Sequence, residues 1–268
     1  MPKPNQIPEI MKNDFFITDE DQEHAIYSKP LTELFIKENM DVLVALYSPH
    51  FKALHPTATA AGLARWFASI PLAFQYALSV MNQSIDLSPQ NITVQIYSFN
   101  GVYWFSFKLN QYTTRLYRDE IPREDWLYQQ LVTFYSDTMR PLLETMAESV
   151  QMNIGQLWGQ FPRKFDIFVE KWKQAIAFGW SEQIDRDYQF LAENMEPEVF
   201  GRKRNPFHIK QRLIRSLDDE TIQIPVECTC CLNYLREGGQ LCFTCPRLKE
   251  QDRETMRKKR KEELEVNE

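Results

Sequence analysis

The five cysteines of this 268-residue chain all lie in one short stretch near its carboxyl end, from Cys228 to Cys245. Two residues separate Cys228 from Cys231, and two residues separate Cys242 from Cys245. A C-x2-C turn directs both sulfur atoms to the same side, which is a common arrangement of thiolates that bind a metal. Cysteines clustered in this way predict either a metal site or a pair of disulfides.

The residues between the two cysteine pairs predict that the pairs face each other. Ten residues separate Cys231 from Cys242, and Gly238-Gly239 among them is a turn signal, so this arm can fold back on itself. Cys230 and Cys231 are neighbours, and in an extended backbone their side chains would point apart. The chain must therefore bend at this point if both cysteines are ligands.

Two kinds of metal site fit these residues. Tetrahedral zinc would leave Cys230 unused and would bind Cys228, Cys231, Cys242 and Cys245. An iron–sulfur cluster also takes four thiolates, and a proline often follows the last of them, as Pro246 does here. The amino terminus has no apolar stretch typical of a secretory signal, which predicts a cytoplasmic protein and favours a metal over disulfides.

The cysteine segment resembles that of the FhuF-like ferric siderophore reductases. From the adjacent Cys230-Cys231 to Cys245 it has the form C-C-x10-C-x2-C, an uncommon spacing that is the signature of this family. Leu232, Tyr234 and Pro246 also match the family. The resemblance implies a 2Fe–2S cluster whose four ligands are Cys230, Cys231, Cys242 and Cys245. Cys228 lies outside the family pattern, and it is the ligand that zinc would need instead.

The same resemblance implies an enzyme, a ferric-chelate oxidoreductase of the cytoplasm. Its substrate would be a ferric siderophore of the hydroxamate or citrate–hydroxamate type, reduced by one electron so that Fe(II) is released. The electron would come from an external donor such as a ferredoxin or a flavin reductase, and the protein would work at the membrane periphery near a siderophore importer. The alternative from another class is a zinc-knuckle protein with a structural or interaction role and no redox activity.

Other sequence features limit the function further. The chain has neither G-x-G-x-x-G nor G-x-x-x-x-G-K-[ST], so no dinucleotide or nucleotide triphosphate site is indicated. A redox protein of this kind therefore needs an outside electron donor. The net charge of −6 argues against nucleic acid as the main partner.

The composition and the hydrophobic periodicity predict an α+β fold that is mainly helical. Aromatic residues make up 13% of the chain and there are only 8 glycines, which favours densely packed helices. Apolar residues recur at helical spacing in several stretches, one of which contains Trp66 as a core residue and another of which runs from Leu157 to Ile176. The alternating residues 92–109, with Asn100-Gly101 between them, predict a β-hairpin. The order of elements resembles the carboxyl-terminal region of siderophore synthetases of the IucA/IucC type.

These patterns divide the chain into four segments. Residues 1–20 are predicted to be a loose arm, and residues 21–215 a helical body that contains the hairpin. Residues 216–248 are the cysteine-rich segment, and residues 249–268 are a charged tail. The apolar stretch from Ala58 to Val80 is interrupted by Arg65, which predicts core helices and not a membrane span.

Basic residues near the cysteines are candidates for binding an anionic ferric chelate. They are Arg202, Lys203, Arg204, Arg236 and Arg247. The alternative for the run from 202 to 204 is a solvated connector. The basic run at 257–261 resembles a nucleic-acid-binding patch, but it is followed by glutamates and has almost no apolar partner, which predicts a solvated helix or a disordered tail.

Overall fold

The computed structural model describes residues 6–175 and 180–265. It shows an α+β fold made mainly of helices, with a four-stranded sheet and two small two-stranded sheets, which confirms the predicted fold class. The helices and the larger sheet enclose a single large hydrophobic cluster that extends from the amino-terminal helix to Phe207. Ile176, the last residue of one predicted helical stripe, lies outside the described residues, as do residues 1–5 and 266–268.

The amino-terminal residues pack into the core, so the predicted loose arm over residues 1–20 is wrong for its described part. Helix α1 (Glu9–Phe15) buries Met11 and Phe15 completely. Strand β1 (Ile17–Thr18) then pairs in parallel with a strand of the hairpin. The four-residue spacing of the buried side chains is helical, but a helix of only seven residues is hard to recognise beside several prolines.

Three helices carry the first half of the body: α2 (Lys37–His50), α3 (Pro56–Phe67) and α4 (Ser69–Ser79). Proline at the first position of α3 suits a helix start, since its missing N–H would have had no partner there. Both α3 and α4 are largely buried, as predicted for the apolar stretch that contains them. No helix in the described residues has the length and apolar character that crossing a membrane requires.

The predicted hairpin is present as β4 (Ile92–Phe99) and β5 (Val102–Leu109). Asn100 and Gly101 both have positive φ, 51° and 76°, which is the backbone that a two-residue hairpin turn needs. Strand β2 (Ala25–Pro30) completes the sheet in the order β1-β5-β4-β2. The helices cover the apolar face of this sheet, which explains why the hairpin is stable.

A second, two-stranded sheet joins β3 (Gln83–Ile85) to β6 (Thr114–Leu116) in antiparallel pairing. The remaining helices of the body follow this sheet. They are α5 (Arg123–Phe134), α6 (Arg140–Ser149), α7 (Ile154–Trp158), α8 (Pro162–Ala175) and α9 (Ser181–Gln189). A π-helical turn at Tyr135–Met139 connects α5 to α6 just before Pro141. This wider turn accommodates a proline that would otherwise interrupt the helix.

The cysteine segment has little regular structure. Strands β7 (Leu213–Arg215) and β8 (Gln223–Pro225) lead into it, and a single 3-10 turn at Asn233–Leu235 lies between its cysteine pairs. Helix α10 (Glu250–Glu265) follows it and packs against it. Arg253 and Arg257 of this helix are each only 2% exposed, so the prediction that the tail is simply solvated is wrong for this part of it.

Candidate metal centre

Four of the five thiols come together in two pairs, and the first pair is Cys230 with Cys245. Both are buried, and their sulfur atoms lie 3.4 Å apart. The backbone N–H of Leu232 donates to the sulfur of Cys230 at 3.4 Å. Burial raises the pKa of the Cys230 thiol to about 11. All five cysteines are free thiols, so this is a contact between sulfurs and not a disulfide.

The second pair is Cys231 with Cys242, which lies nearer the surface. The thiol of Cys242 donates a hydrogen bond to Cys231, which lowers the pKa of Cys231 to about 5 and raises the pKa of Cys242. The side chain of Cys242 is exposed, and the hydroxyl of Thr244 lies 3.8 Å from its sulfur. The two pairs are close enough to influence each other, because the charge on Cys231 also raises the pKa of Cys230.

The bend that the sequence requires near the adjacent cysteines is found at Leu232. This residue has φ of 58°, in the left-handed region, and a 3-10 turn begins directly after it. Cys230 and Cys231 have different partners, Cys245 and Cys242 respectively. The chain then turns back towards the second C-x2-C.

Side-chain amides from the body fix the first cysteine turn. Gln156 on α7 and Gln160 just after it both donate to the carbonyl of Cys230, at 3.2 Å in the case of Gln160. Gln160 also donates to the hydroxyl of Thr229 at 2.8 Å. At Gly159, an added Cβ would lie 2.2 Å from the methyl group of Thr229. The close approach of the cysteine turn to α7 therefore depends on a glycine at this position.

The arm between the two pairs is attached to the loop after α2. The Nε of Arg236 donates to the carbonyl of Phe51 at 2.7 Å, and its guanidinium lies 4.0 Å from the centre of the Phe51 ring. The backbone N–H of Leu54 donates to the carbonyl of Leu235 at 2.8 Å. The arm reverses at Gly238, whose φ is 68°, as predicted from the glycine pair.

Helix α10 fixes the second cysteine turn. The Nε of Arg253 donates to the carbonyl of Phe243 at 3.0 Å, and one terminal nitrogen donates to the carbonyl of Cys245 at 2.6 Å. From the other side, the backbone N–H of Glu227 donates to the carbonyl of Thr244 at 3.0 Å. The buried Arg253 therefore satisfies two carbonyl groups of the Cys242–Cys245 turn, those of Phe243 and Cys245.

Cys228 stands apart from the four paired thiols. The backbone N–H of Arg163 donates to its sulfur, and burial, with the nearby carboxylates of Asp166 and Glu227, raises its pKa to about 11. These groups belong to α8 and to the start of the cysteine segment, and none of them is a cysteine. Cys228 thus lies outside both pairs, and the four cysteines of the C-C-x10-C-x2-C pattern meet two by two.

A cavity of about 750 Å³ opens beside the second pair, and Cys231 and Cys242 form part of its wall. Its aromatic wall includes Trp66, which stacks on Phe105 with ring centres 5.1 Å apart. Four basic side chains from three different parts of the chain line it: Arg65, Arg163, Lys164 and Arg236. Glu227 is the one acidic residue in this lining. We call this space the cationic cavity.

Of the predicted docking residues, Arg236 lines the cationic cavity and the others do not. Arg247 is exposed and lies over the ring of Tyr234, 5.6 Å from its centre. The guanidinium of Arg202 packs against Gly155 on α7. Lys203 and Arg204 are exposed. The structure does not bring this basic run to the cysteines.

Three basic residues of the cavity were not predicted from the sequence. In the sequence, Arg65 is the charge that interrupts an apolar stretch, and such a charge is the one signal there for a functional surface. Arg163 and Lys164 begin an amphipathic helix, where basic residues on the polar face are ordinary. Trp66, predicted as a core residue, packs against the core and also faces the cavity.

Within residues 6–175 and 180–265, no three His, Cys, Asp or Glu side chains form a group that could hold a metal ion. The thiols meet two by two, as described above. Comparison of the chain with models of known protein families gives no match, and neither does comparison with curated protein sequences. The function therefore has to be argued from the site itself.

Proposed function

We propose that this chain is a ferric siderophore reductase that holds a 2Fe–2S cluster on its four paired cysteines. The observation that carries the proposal is the arrangement of these thiols, two by two, beside the cationic cavity. The spacing that resembles the FhuF-like reductases selects the same four residues. They are Cys230, Cys231, Cys242 and Cys245.

The donor set fits a cluster with two metal atoms. Two sulfurs bound to one tetrahedral metal at about 2.3 Å lie ~3.8 Å apart, and the sulfurs of Cys230 and Cys245 are 3.4 Å apart. Adjacent cysteines with different sulfur partners suit two metal atoms better than one. Cys230 with Cys245 would bind one iron, and Cys231 with Cys242 the other.

When bound, the cluster would accept one electron from an external donor and pass it on. The chain itself places two thiols in a wall that a chelate can reach, since Cys231 and Cys242 line the cavity. It shields the other pair from solvent, because Cys230 and Cys245 are buried. It also donates the Leu232 N–H to the sulfur of Cys230, and such hydrogen bonds help to set the potential of a cluster.

The reaction needs no bond chemistry from the side chains. One electron converts Fe(III) in the chelate to Fe(II). Hydroxamate, carboxylate and catecholate oxygens are hard ligands, which bind the ferric ion far more tightly than the ferrous ion. The intact siderophore is then released together with Fe(II), and the role of the protein is to bring chelate and cluster close together.

The first experiment is to purify the protein without oxygen and to measure iron, acid-labile sulfide and visible absorption. Two irons and two sulfides per chain are expected, with a brown colour. Cys230→Ser should abolish all three signals. Cys228→Ser is the matched control, because it removes a buried thiol that lies outside the two pairs. A colourless protein with one zinc per chain, lost in Cys228→Ser and kept in Cys230→Ser, would contradict the proposal and support a zinc knuckle.

The second experiment tests the reaction. The protein is reduced, freed from excess reductant and mixed with a ferric hydroxamate under a ferrous-specific chelator. One Fe(II) per cluster should be trapped in a single turnover. A protein that carries the cluster and yields no Fe(II) would be an iron–sulfur protein of another kind.

A further inference from the structure

The cationic cavity is lined by more basic than acidic side chains. Arg65, Arg163 and Arg236 line it, and among the described residues none of these three forms an ion pair with a carboxylate. Glu227 acts on the cavity electrostatically, but its carboxyl group is partly buried and burial raises its pKa. With Lys164, four basic groups line this space, opposed by Glu227 and by the sulfurs of Cys231 and Cys242.

The other large cavities in the described part of the chain differ in this respect. The cavity between α8 and α9, also about 750 Å³, shares Arg163 with the cationic cavity and has one further basic residue and four acidic residues in its lining. The cavity beside β3, about 740 Å³, has one arginine and two aspartates. An excess of basic residues is thus a property of the space that borders Cys231 and Cys242.

The hydrogen bonds of the cavity arginines divide them into one that holds the arm in place, Arg236, and two that can bind a ligand, Arg65 and Arg163. Arg236 is fixed by the Phe51 carbonyl and by the Phe51 ring, so it also attaches the arm to the body. The guanidinium groups of Arg65 and Arg163 make no hydrogen bond to the described residues. Their donors remain available to a ligand, and a guanidinium suits the paired oxygens of a carboxylate.

We propose that the cationic cavity binds a ferric chelate with net negative charge, and that Arg65 and Arg163 bind its carboxylate oxygens. This inference rests on the proposed reductase function and narrows its substrate. Three hydroxamates neutralise the charge of Fe(III), so a trihydroxamate chelate offers no negative charge at the metal for the unpaired arginines to bind. In a citrate-centred dihydroxamate, the central carboxylate and the deprotonated hydroxyl of citrate join two hydroxamates at the metal, so the complex carries a net negative charge. The cavity therefore selects the citrate–hydroxamate type over the plain hydroxamate type.

Binding is tested with gallium(III) complexes, because gallium matches the charge and coordination of Fe(III) and is not reduced under these conditions. Two probes are used: a citrate dihydroxamate complex, which is anionic, and a linear trihydroxamate complex of low charge. Affinity is measured by calorimetry on the purified holoprotein. Arg65→Gln and Arg163→Gln should each weaken binding of the anionic complex about tenfold, the loss expected when a charged hydrogen bond is removed. Binding of the trihydroxamate complex should change less than about twofold.

Arg118→Gln is the matched control, because this exposed arginine pairs only with Glu120 and lies outside the cavity. It should leave both affinities unchanged. Iron and sulfide are counted in every variant, so that a folding defect is separated from a binding defect. Equal affinity of wild type and both cavity variants for the anionic complex would overturn the inference. It would also be overturned if Arg202→Gln and Arg204→Gln, and not the cavity variants, weakened binding of that complex.

The two proposals fail in different ways. Protein without iron and sulfide refutes the reductase function, whatever the binding data show. A loaded protein that reduces both kinds of ferric chelate equally well, with cavity variants that bind normally, refutes only the assignment of the cavity.

Discussion

The body of this protein and its cysteine segment are stabilised in different ways. The sheet and the helices around it bury large side chains completely, among them Phe105, Phe107 and Trp158. The cysteine segment has few such side chains and little regular structure, and it is fixed by hydrogen bonds from Gln156, Gln160 and Arg253 to its backbone. Hydrophobic burial is roughly proportional to area and has no direction, whereas a hydrogen bond specifies where each atom lies.

This difference suits the two tasks. A body can tolerate small shifts of its core side chains, but four sulfurs would need fixed positions to hold the proposed cluster. The polar contacts act on the backbone directly beside the cysteines, at the carbonyls of Cys230 and Cys245. Substitutions in the body should therefore unfold everything, and substitutions at these contacts should disturb the site alone.

The largest effect is expected from Phe105→Ala. Phe105 is completely buried and contacts the rings of Tyr47 and Trp66 at 5.1 Å. Its removal should lower the free energy of unfolding by about 3–5 kcal/mol, measured by urea denaturation followed by circular dichroism. Phe99→Ala on the same hairpin is the control, because Phe99 is 62% exposed and should change stability by less than about 0.5 kcal/mol. If Phe105→Ala changed the free energy of unfolding as little as Phe99→Ala, Phe105 would not be part of the stabilising core.

Arg253→Met should damage the site and spare the body. It leaves the carbonyls of Phe243 and Cys245 without their donor. Each lost hydrogen bond to the charged guanidinium should destabilise the site by about 1.5–3 kcal/mol. Iron should be lost to a chelator at least about tenfold faster, while the urea midpoint of the body barely moves. Arg260→Met, at an exposed ion pair with Asp218, is the control. If both variants release iron at the wild-type rate, α10 does not support the site.

Gly159→Ala should have the next largest effect. The new methyl group would lie 2.2 Å from the methyl group of Thr229 and would push the first cysteine turn away from α7. Overpacking of this kind typically costs about 1–3 kcal/mol. The expected result is a fall in bound iron per chain with a nearly unchanged helical signal. Thr229→Ala in the same chain should restore part of the iron content, and a failure to do so would mean that this contact is not the cause.

The smallest effect concerns pH and the cationic cavity. Burial, with the nearby charge of Arg65, lowers the pKa of Lys164 to about 8. Lys164 is charged below that pH and becomes neutral above it, so the affinity for the anionic gallium complex should fall about threefold from pH 7 to pH 9. Lys164→Met should remove this dependence and bind more weakly at pH 7. An unchanged pH profile in the variant would show that another group is responsible.

Features that depend on neighbouring residues could be predicted from the sequence. The hairpin was found because Asn100 and Gly101 tolerate positive φ between alternating strands. The candidate thiols were found because the type and spacing of metal ligands are visible in the chain. How they pair was not predictable, because it depends on the left-handed backbone of Leu232, an uncommon conformation for a leucine.

Features that depend on distant residues were missed. Arg236 on the arm was predicted as a docking residue, but Arg65 on α3 and Arg163 on α8 were not, and only the folded chain brings the three to one cavity. The parallel pairing of β1 with β5 joins residues about ninety positions apart. Arg253 lies in a charge-dense sequence typical of a solvated helix, and its burial follows from carbonyl groups that the sequence pattern does not show.

The contacts of the two cysteine turns differ greatly in sequence separation, and this has a consequence for the order of folding. Arg253 reaches Cys245 across 8 positions, whereas Gln156 and Gln160 reach Cys230 across 74 and 70. Short-range contacts close quickly, and long-range contacts wait for the elements between them to assemble. The second turn can therefore form early, whereas the first turn must wait for the folded body, so the sulfurs of Cys230 and Cys231 reach their positions last.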